Sequence, residues 1–206
     1  MLVCCQLTQS PAVHLDQPEL PDYVSRGGEK LAAALQYFNL DIKGLVCADL
    51  GSHTGGFVDC LLQHGAGRVY AVDTCYGTLA WKLRRDKRVV VMERTNAMHV
   101  ALPEVVDLVT VDVGWTRQTR LMPNVARLLK RTGRAVTLIK PQYEAAKDLL
   151  HDGLLADPLV DEVVRSVLSR LSDMNWRVCA TLESPVRGHG GNREVFAMLA
   201  GEAPDD

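Results

Sequence analysis

Short runs rich in β-branched residues alternate with helix-like stretches through the middle of this chain, and that alternation leaves few folds open. The runs are LVCADLG (45–51), RVYAVDT (68–74), VVVMER (89–94), LVTVDVG (108–114) and AVTLIKPQ (135–142). Strands that are apolar along nearly their whole length are buried on both faces, as in a parallel sheet covered by helices on each side. GGFVDCLLQHG (55–65) reads as the helix after the first strand, ended by Gly65, and TLAWKLRRD (78–86) as a basic helix after the second. Beyond a helix near 157–172, WRVCATLE and EVFAMLA lie close enough in sequence to pair as an antiparallel hairpin on one edge. The expected fold class is α/β, an open, doubly wound, mostly parallel sheet with an antiparallel edge hairpin.

At 206 residues the chain suits one such domain with a full core. Residues 1–22, with Pro11, Pro18 and Pro21, read as an extended or poorly ordered lead-in, and residues 23–206 as the domain. Ser25 is the candidate N-cap of a helical segment, RGGEKLAAALQYF. No apolar run approaches the roughly 18 residues that span a bilayer, and MLVCCQLTQS lacks the basic start of a secretory signal. No membrane partner is expected, and the default compartment is the cytoplasm. The six cysteines show no C-x-x-C spacing and no paired histidines nearby, so neither a metal site nor a disulfide framework is expected.

Net charge is −2, but its distribution is uneven. Residues 1–22 and 201–206 hold six acidic residues and no Lys or Arg, which leaves 23 basic and 19 acidic residues between them. Lys82, Arg84, Arg85, Lys87 and Arg88 form one basic cluster; Lys130, Arg131 and Arg134 form another. Such clusters are most often solvated surface, yet they leave room for an RNA partner.

The sharpest local signal is Asp49-Leu-Gly51-Ser52-His-Thr-Gly55-Gly56-Phe57, between the first strand and its helix. Glycines there let the backbone turn tightly at the carboxyl ends of the strands, where such sheets bind ligands. Asp73 ends the next strand and is set to accept hydrogen bonds from the ribose hydroxyls of an adenosine moiety. A dinucleotide-binding turn needs G-x-G-x-x-G spacing so that the backbone reaches a pyrophosphate. Here His53 takes the middle position of that pattern. S-adenosylmethionine carries no phosphate, so the constraint vanishes, and Asp49 can face its cationic methionine end.

Further stretches line up with this turn: Tyr23-Val-Ser-Arg-Gly-Gly-Glu-Lys30, Glu93-Arg-Thr-Asn96, Val111-Asp112-Val-Gly, Leu138-Ile-Lys140-Pro-Gln-Tyr-Glu144 and Ser184-Pro-Val-Arg-Gly-His-Gly-Gly-Asn192-Arg-Glu194. From about residue 22 to 200 the chain resembles the hemolysin A-like (TlyA-type) rRNA methyltransferases, a branch of the FtsJ-type ribose 2′-O-methyltransferases. The resemblance implies a Rossmann-like methyltransferase fold, S-adenosyl-L-methionine as cofactor, and rRNA or a ribosomal subunit as partner. It implies a catalytic set at Lys30, Asp112, Lys140 and Glu194. Around the cofactor it implies Gly51, Asp73 and Asn96, to which the turn adds Asp49, Ser52, Gly55, Gly56 and Phe57, and the strand end Asp112. Members of the family begin with a small S4-type RNA-binding domain, which residues 1–22 do not match, so a separate RNA-binding partner is an expectation. After Asp112 the chain reads Val-Gly-Trp-Thr where the family carries Ser-Phe-Ile-Ser.

The residues themselves fit this assignment. Asp112 and Lys140 each sit at the carboxyl end of a buried strand, where side chains enter the ligand crevice. A lysine ending the apolar run AVTLI is costly to desolvate unless paired, and Asp112 and Glu194 are the candidate partners. Methyl transfer from a sulfonium needs chiefly an aligned acceptor oxygen and help with its proton. Lys140 is the expected contact to that hydroxyl, with Asp112 orienting it. Two alternatives stay open: a methyltransferase of the same fold with another substrate, and a cofactor-binding protein that acts through interaction.

Overall fold

The computed structural model describes residues 22–201. The expected lead-in therefore lies, apart from Asp22, outside the described residues. The elements in chain order are α1 (Gly27–Tyr37), β1 (Val46–Leu50), α2 (Gly56–Gln63), β2 (Arg68–Val72), α3 (Trp81–Arg84), β3 (Val89–Met92), β4 (Val106–Val111), α4 (Gln118–Leu128), β5 (Leu129–Ile139) and α5 (Pro141–Glu144). The two-residue strands β6 (Leu150–His151) and β7 (Leu154–Leu155) then form a small ladder. α6 (Asp157–Ser172), β8 (Trp176–Glu183) and β9 (Val195–Gly201) complete the chain.

Seven strands form one sheet in the order β3-β2-β1-β4-β5-β9-β8. The first five are parallel; β9 runs antiparallel to β5, and β8 antiparallel to β9. The expected hairpin is present, with its later strand inside the sheet and β8 at the edge. A register shift between Val178 and Ala180 bends that edge, as a bulge does where a strand must not recruit another chain. This is the expected open, doubly wound, mostly parallel sheet with an antiparallel edge hairpin.

Strand order reverses between β1 and β4, since the chain first builds outward through β2 and β3 and then returns to the other side of β1. The carboxyl ends of β1 and β4 diverge there, and a crevice opens between them. Both faces of the sheet are covered. Leu31, Leu35, Phe57 and Leu61 of α1 and α2 pack on one face with Val136 and Phe196. Leu121, Met122, Val167 and Leu171 of α4 and α6 pack on the other with Val109 and Ile139. This double burial is why the strands carry no polar alternation.

Three local expectations need correction. Ser25 does not cap α1: Arg26 is already helical and no side chain caps the helix. The Ser25 hydroxyl lies instead against the start of α2, where a Cβ on Gly56 would stand 2.2 Å from it. The basic helix after β2 shrinks to one turn, Trp81–Arg84. β5 begins six residues before the apolar run that announced it, because Leu129 already pairs with Val106. Gly65 follows the end of α2 with φ +88°, the left-handed conformation that stops a helix.

Candidate active site

The turn after β1 holds its shape through backbone donors. The N–H groups of Gly51 and Ser52 donate to the Val72 carbonyl at 2.9 and 3.0 Å. Those of His53 and Cys75 donate to the two Asp73 carboxylate oxygens at 2.8 and 2.7 Å. Asp73 thus clamps its own loop to the β1 turn while its remaining lone pairs face the crevice. Gly51 has φ +92°, and a Cβ there would meet the Asp112 carbonyl oxygen at 2.4 Å, so no other residue fits at the switch point.

Two cavities adjoin at this turn. A crevice of 530 Å³ is lined by Gly51, Asp73, Asn96, Asp112, Trp115 and Lys140 among others. A polar cavity of 220 Å³ is lined by Ser25, Arg26, Lys30, Ser52, Gly56 and Phe57 and shares Gly51, His53 and Asp112 with the crevice. The second lies where the starts of α1 and α2 meet, so backbone N–H groups and two positive helix ends converge on it.

Two ion pairs stand at these cavities, one lining the crevice and one reaching the polar cavity through Lys30. Lys140 Nζ is 2.6 Å from Asp112 Oδ1, and Lys30 Nζ donates to Glu194 Oε2 at 2.7 Å. Glu194 is only 3% exposed and Lys30 12%. The room for Glu194 comes from Gly188, where a Cβ would stand 2.1 Å from its Oε1. Burial pushes the Lys140 ammonium toward lower pKa, but Asp112 and then Glu194 outweigh it and hold the group above the ordinary lysine value. Lys140 is therefore a cation at neutral pH. The Lys140–Glu144 turn is pinned from below: buried Glu144 accepts the Gln118 N–H at the start of α4 at 2.6 Å.

Nine of the expected site residues line these cavities: Lys30, Gly51, Ser52, Gly56, Phe57, Asp73, Asn96, Asp112 and Lys140. Glu194 joins them through Lys30. Asn96 also accepts the Met98 N–H at 2.9 Å and so shapes the loop after β3. Gly55 faces away, with φ +101° and the side chains of Leu79 and Leu83 pressed upon it. Asp49 departs from its expected placement at the methionine end. It is fully buried beneath the turn, Thr110 donates to its Oδ1 at 2.7 Å, and its Oδ2 has no hydrogen-bond partner. Burial pushes its carboxyl up to about 8.

Sequence reasoning passed over Trp115. It is 86% exposed at the lip of the crevice, with φ +55° and its ring 5.6 Å from that of Tyr143. The signal was present, since a large aromatic three residues past a strand-ending Asp is a costly choice for a plain loop. Among the described residues no cluster of three or more His, Cys, Asp or Glu side chains could hold a metal. Cys47 and Cys60 are buried, reduced and pushed up to about 12, chiefly by burial.

The FtsJ-like methyltransferase family matches residues 23–200. The chain belongs to this family. The Mycobacterium tuberculosis 16S/23S rRNA (cytidine-2′-O)-methyltransferase TlyA is 40% identical over 183 residues, 86% of this chain and 68% of that protein. Hemolysin A of Brachyspira hyodysenteriae is 37% identical over 85% of this chain and 75% of its own length. A solved hemolysin-type protein of Streptococcus thermophilus superposes with a TM-score of 0.86 at 35% identity, covering 91% of this chain and 70% of that one. This chain spans about two thirds of the length of such relatives.

The family's cofactor is S-adenosylmethionine, and the site's chemistry fits it. A strand-ending carboxylate with free lone pairs suits a ribose, and the polar cavity of Ser25, Ser52 and two helix starts suits an amino-acid end. Nothing in the β1 turn is shaped for a pyrophosphate, because His53 occupies the approach with φ +45°.

Proposed function

We propose that the chain is an S-adenosylmethionine-dependent methyltransferase whose acceptor is a ribose 2′-hydroxyl of ribosomal RNA. The observation that carries this reading is the Lys140–Asp112 pair in the crevice that Asp73 also lines, with the Lys30–Glu194 pair joined to it through Asp112, which both cavities share, and through the pull of Glu194 on Lys140. The 2′-O specificity in the name of the Mycobacterium tuberculosis relative supports it. No described helix is long and apolar enough to cross a membrane, and a ribosomal substrate makes the cytoplasm the place of action.

The bound cofactor supplies an activated methyl on a sulfonium. All else falls to the chain's own groups. Asp73 and Asn96 orient the adenosine end; Ser25, Ser52 and the starts of α1 and α2 take the amino-acid end. Lys140, charged in the resting site, donates a hydrogen bond to the ribose oxygen and fixes its line of attack. The hydroxyl proton must leave as that oxygen gains its new bond, and the Asp112 carboxylate lining the crevice is placed to accept it. Lys30 and Glu194 balance the charge of the set, so the site neither repels phosphate nor leaves a buried ion alone. Trp115 and Tyr143 present aromatic faces at the lip, against which an unstacked base can rest.

The test is incubation of the protein with labelled S-adenosylmethionine and purified bacterial ribosomal subunits or naked rRNA, followed by mapping of 2′-O-methylation. Label in a ribose supports the reading. Label in bases alone, or in neither substrate, overturns it.

A further inference from the structure

A groove of 1020 Å³ opens from the lip of the crevice, with which it shares Met98, Trp115, Thr116 and Tyr143. Its lining contains Arg117, Arg120 and Lys147 and no carboxylate. All three cations are exposed, and none forms an ion pair among the described residues, although Arg117 acts through space on buried Glu144. Gln142 also lines the groove; it is only 7% exposed, and its Oε1 has no hydrogen-bond partner. A buried carboxamide oxygen left unpaired is costly unless a ligand or a water satisfies it.

Four of the eight cations in the basic clusters visible in sequence are already paired. Lys82 is paired with Asp59 at 3.0 Å, Arg84 with Glu93, and Arg88 with Asp86 at 2.7 Å. Lys130 is paired with Asp107 at 2.7 Å, near the start of β5 and so at the opposite end of the sheet from the crevice. Cations already neutralised attract phosphate weakly, and those at the wrong end cannot guide a strand to Lys140.

We infer that the groove beyond Trp115 is the track for the unpaired RNA strand flanking the target nucleotide. Arg117, Arg120 and Lys147 contact its phosphates, and Gln142 accepts a hydrogen bond from an N–H of a neighbouring base. This rests on the reading of the chain as an RNA methyltransferase and adds where the strand runs. A free strand fits better than a duplex, because its unpaired bases can offer an N–H to the buried Gln142 oxygen that lines the groove beside the unpaired cations.

The experiment compares the full chain with an Arg120→Ala/Lys147→Ala variant and with an Arg85→Ala/Lys87→Ala control. Binding of a short labelled oligocytidylate is measured over a salt series, alongside calorimetry with S-adenosylmethionine and methyl transfer to ribosomal subunits. The groove variant should bind the oligonucleotide roughly tenfold more weakly. Its salt slope should fall by about 1.4, the loss of two phosphate contacts on a single strand. Cofactor affinity should be unchanged, and the control should resemble wild type. Wild-type affinity and slope in the groove variant, or an equal loss in the control, overturn the inference while methyl transfer by the parent protein leaves the functional reading standing. If the parent protein transfers no methyl to RNA, that reading falls and the inference falls with it.

Discussion

Lys140 Nζ stands 2.6 Å from Asp112 Oδ1 across the parallel neighbours β5 and β4: Val111 pairs with Thr137, and β5 runs two residues further, to Ile139, so the Lys140 side chain meets Asp112 at the carboxyl end of the sheet. Each follows directly on its strand, so the backbone, and not a mobile loop, sets their separation. A pair held this way is ready for an incoming hydroxyl without rearrangement, which is the condition for effective proton handling.

Lys140→Ala should lower methyl transfer by about 10²–10⁴ while S-adenosylmethionine affinity stays within a few-fold of wild type. Lys140→Arg should rescue poorly, because a planar guanidinium cannot reproduce a single-point contact. Single-turnover kinetics on a verified RNA substrate decides this. Near-normal turnover in the alanine variant removes Lys140 from the mechanism.

Asp73→Ala should act on the cofactor instead. It removes the acceptor facing the crevice and the clamp that accepts the His53 and Cys75 N–H groups. Calorimetry should show affinity for S-adenosylmethionine reduced about tenfold or more, since charge-assisted hydrogen bonds contribute roughly 1.5–3 kcal/mol each. Unchanged affinity, or tighter binding of NAD than of S-adenosylmethionine, rejects the cofactor placement.

Lys30 and Glu194 should respond unequally to truncation. Lys30→Ala leaves a carboxylate that is 3% exposed without its cation and should cost about 3–5 kcal/mol of stability. Glu194→Ala leaves Lys30, with more access to water, and should cost less. Urea denaturation of both variants at neutral pH measures the difference. Equal losses would show that the pair is effectively solvated.

Asp49 gives a pH signature. Its folded-state carboxyl titrates at about 8, far above the ordinary aspartate value, so the folded protein holds a proton that the unfolded chain has released. Stability from this group is full at acid pH and declines by about 1.4 kcal/mol per pH unit between roughly pH 5 and 7. Asp49→Asn should remove that decline, so the stability of the variant relative to wild type should rise across the same interval. Denaturation midpoints of the two proteins running parallel from pH 5 to 7 would exclude a buried, protonated Asp49.

Much of the site was legible because it lies where local pattern meets a topological rule. Apolar runs of strand length marked β1, β2, β4 and β5, and the residues just beyond each run were bound to gather at one end of a parallel sheet. Gly51, Asp73, Asp112 and Lys140 follow from that alone.

What the sequence by itself determined, then, is the order of elements and the set of residues at their carboxyl ends, since both depend on neighbours within a few positions along the chain. Only the tertiary structure decided which of those residues meet. Lys30 reaches Glu194 across 164 positions, Trp115 comes to lie beside Tyr143, and Asp49 is sealed under the turn that was expected to expose it. Within the basic clusters Lys82, Arg84 and Lys130 are paired with distant Asp59, Glu93 and Asp107, and Arg88 with neighbouring Asp86, whereas Arg117, Arg120 and Lys147, beside the crevice, form no ion pair among the described residues. Charge pairing and burial are set by distances through space, which periodicity along the chain does not encode.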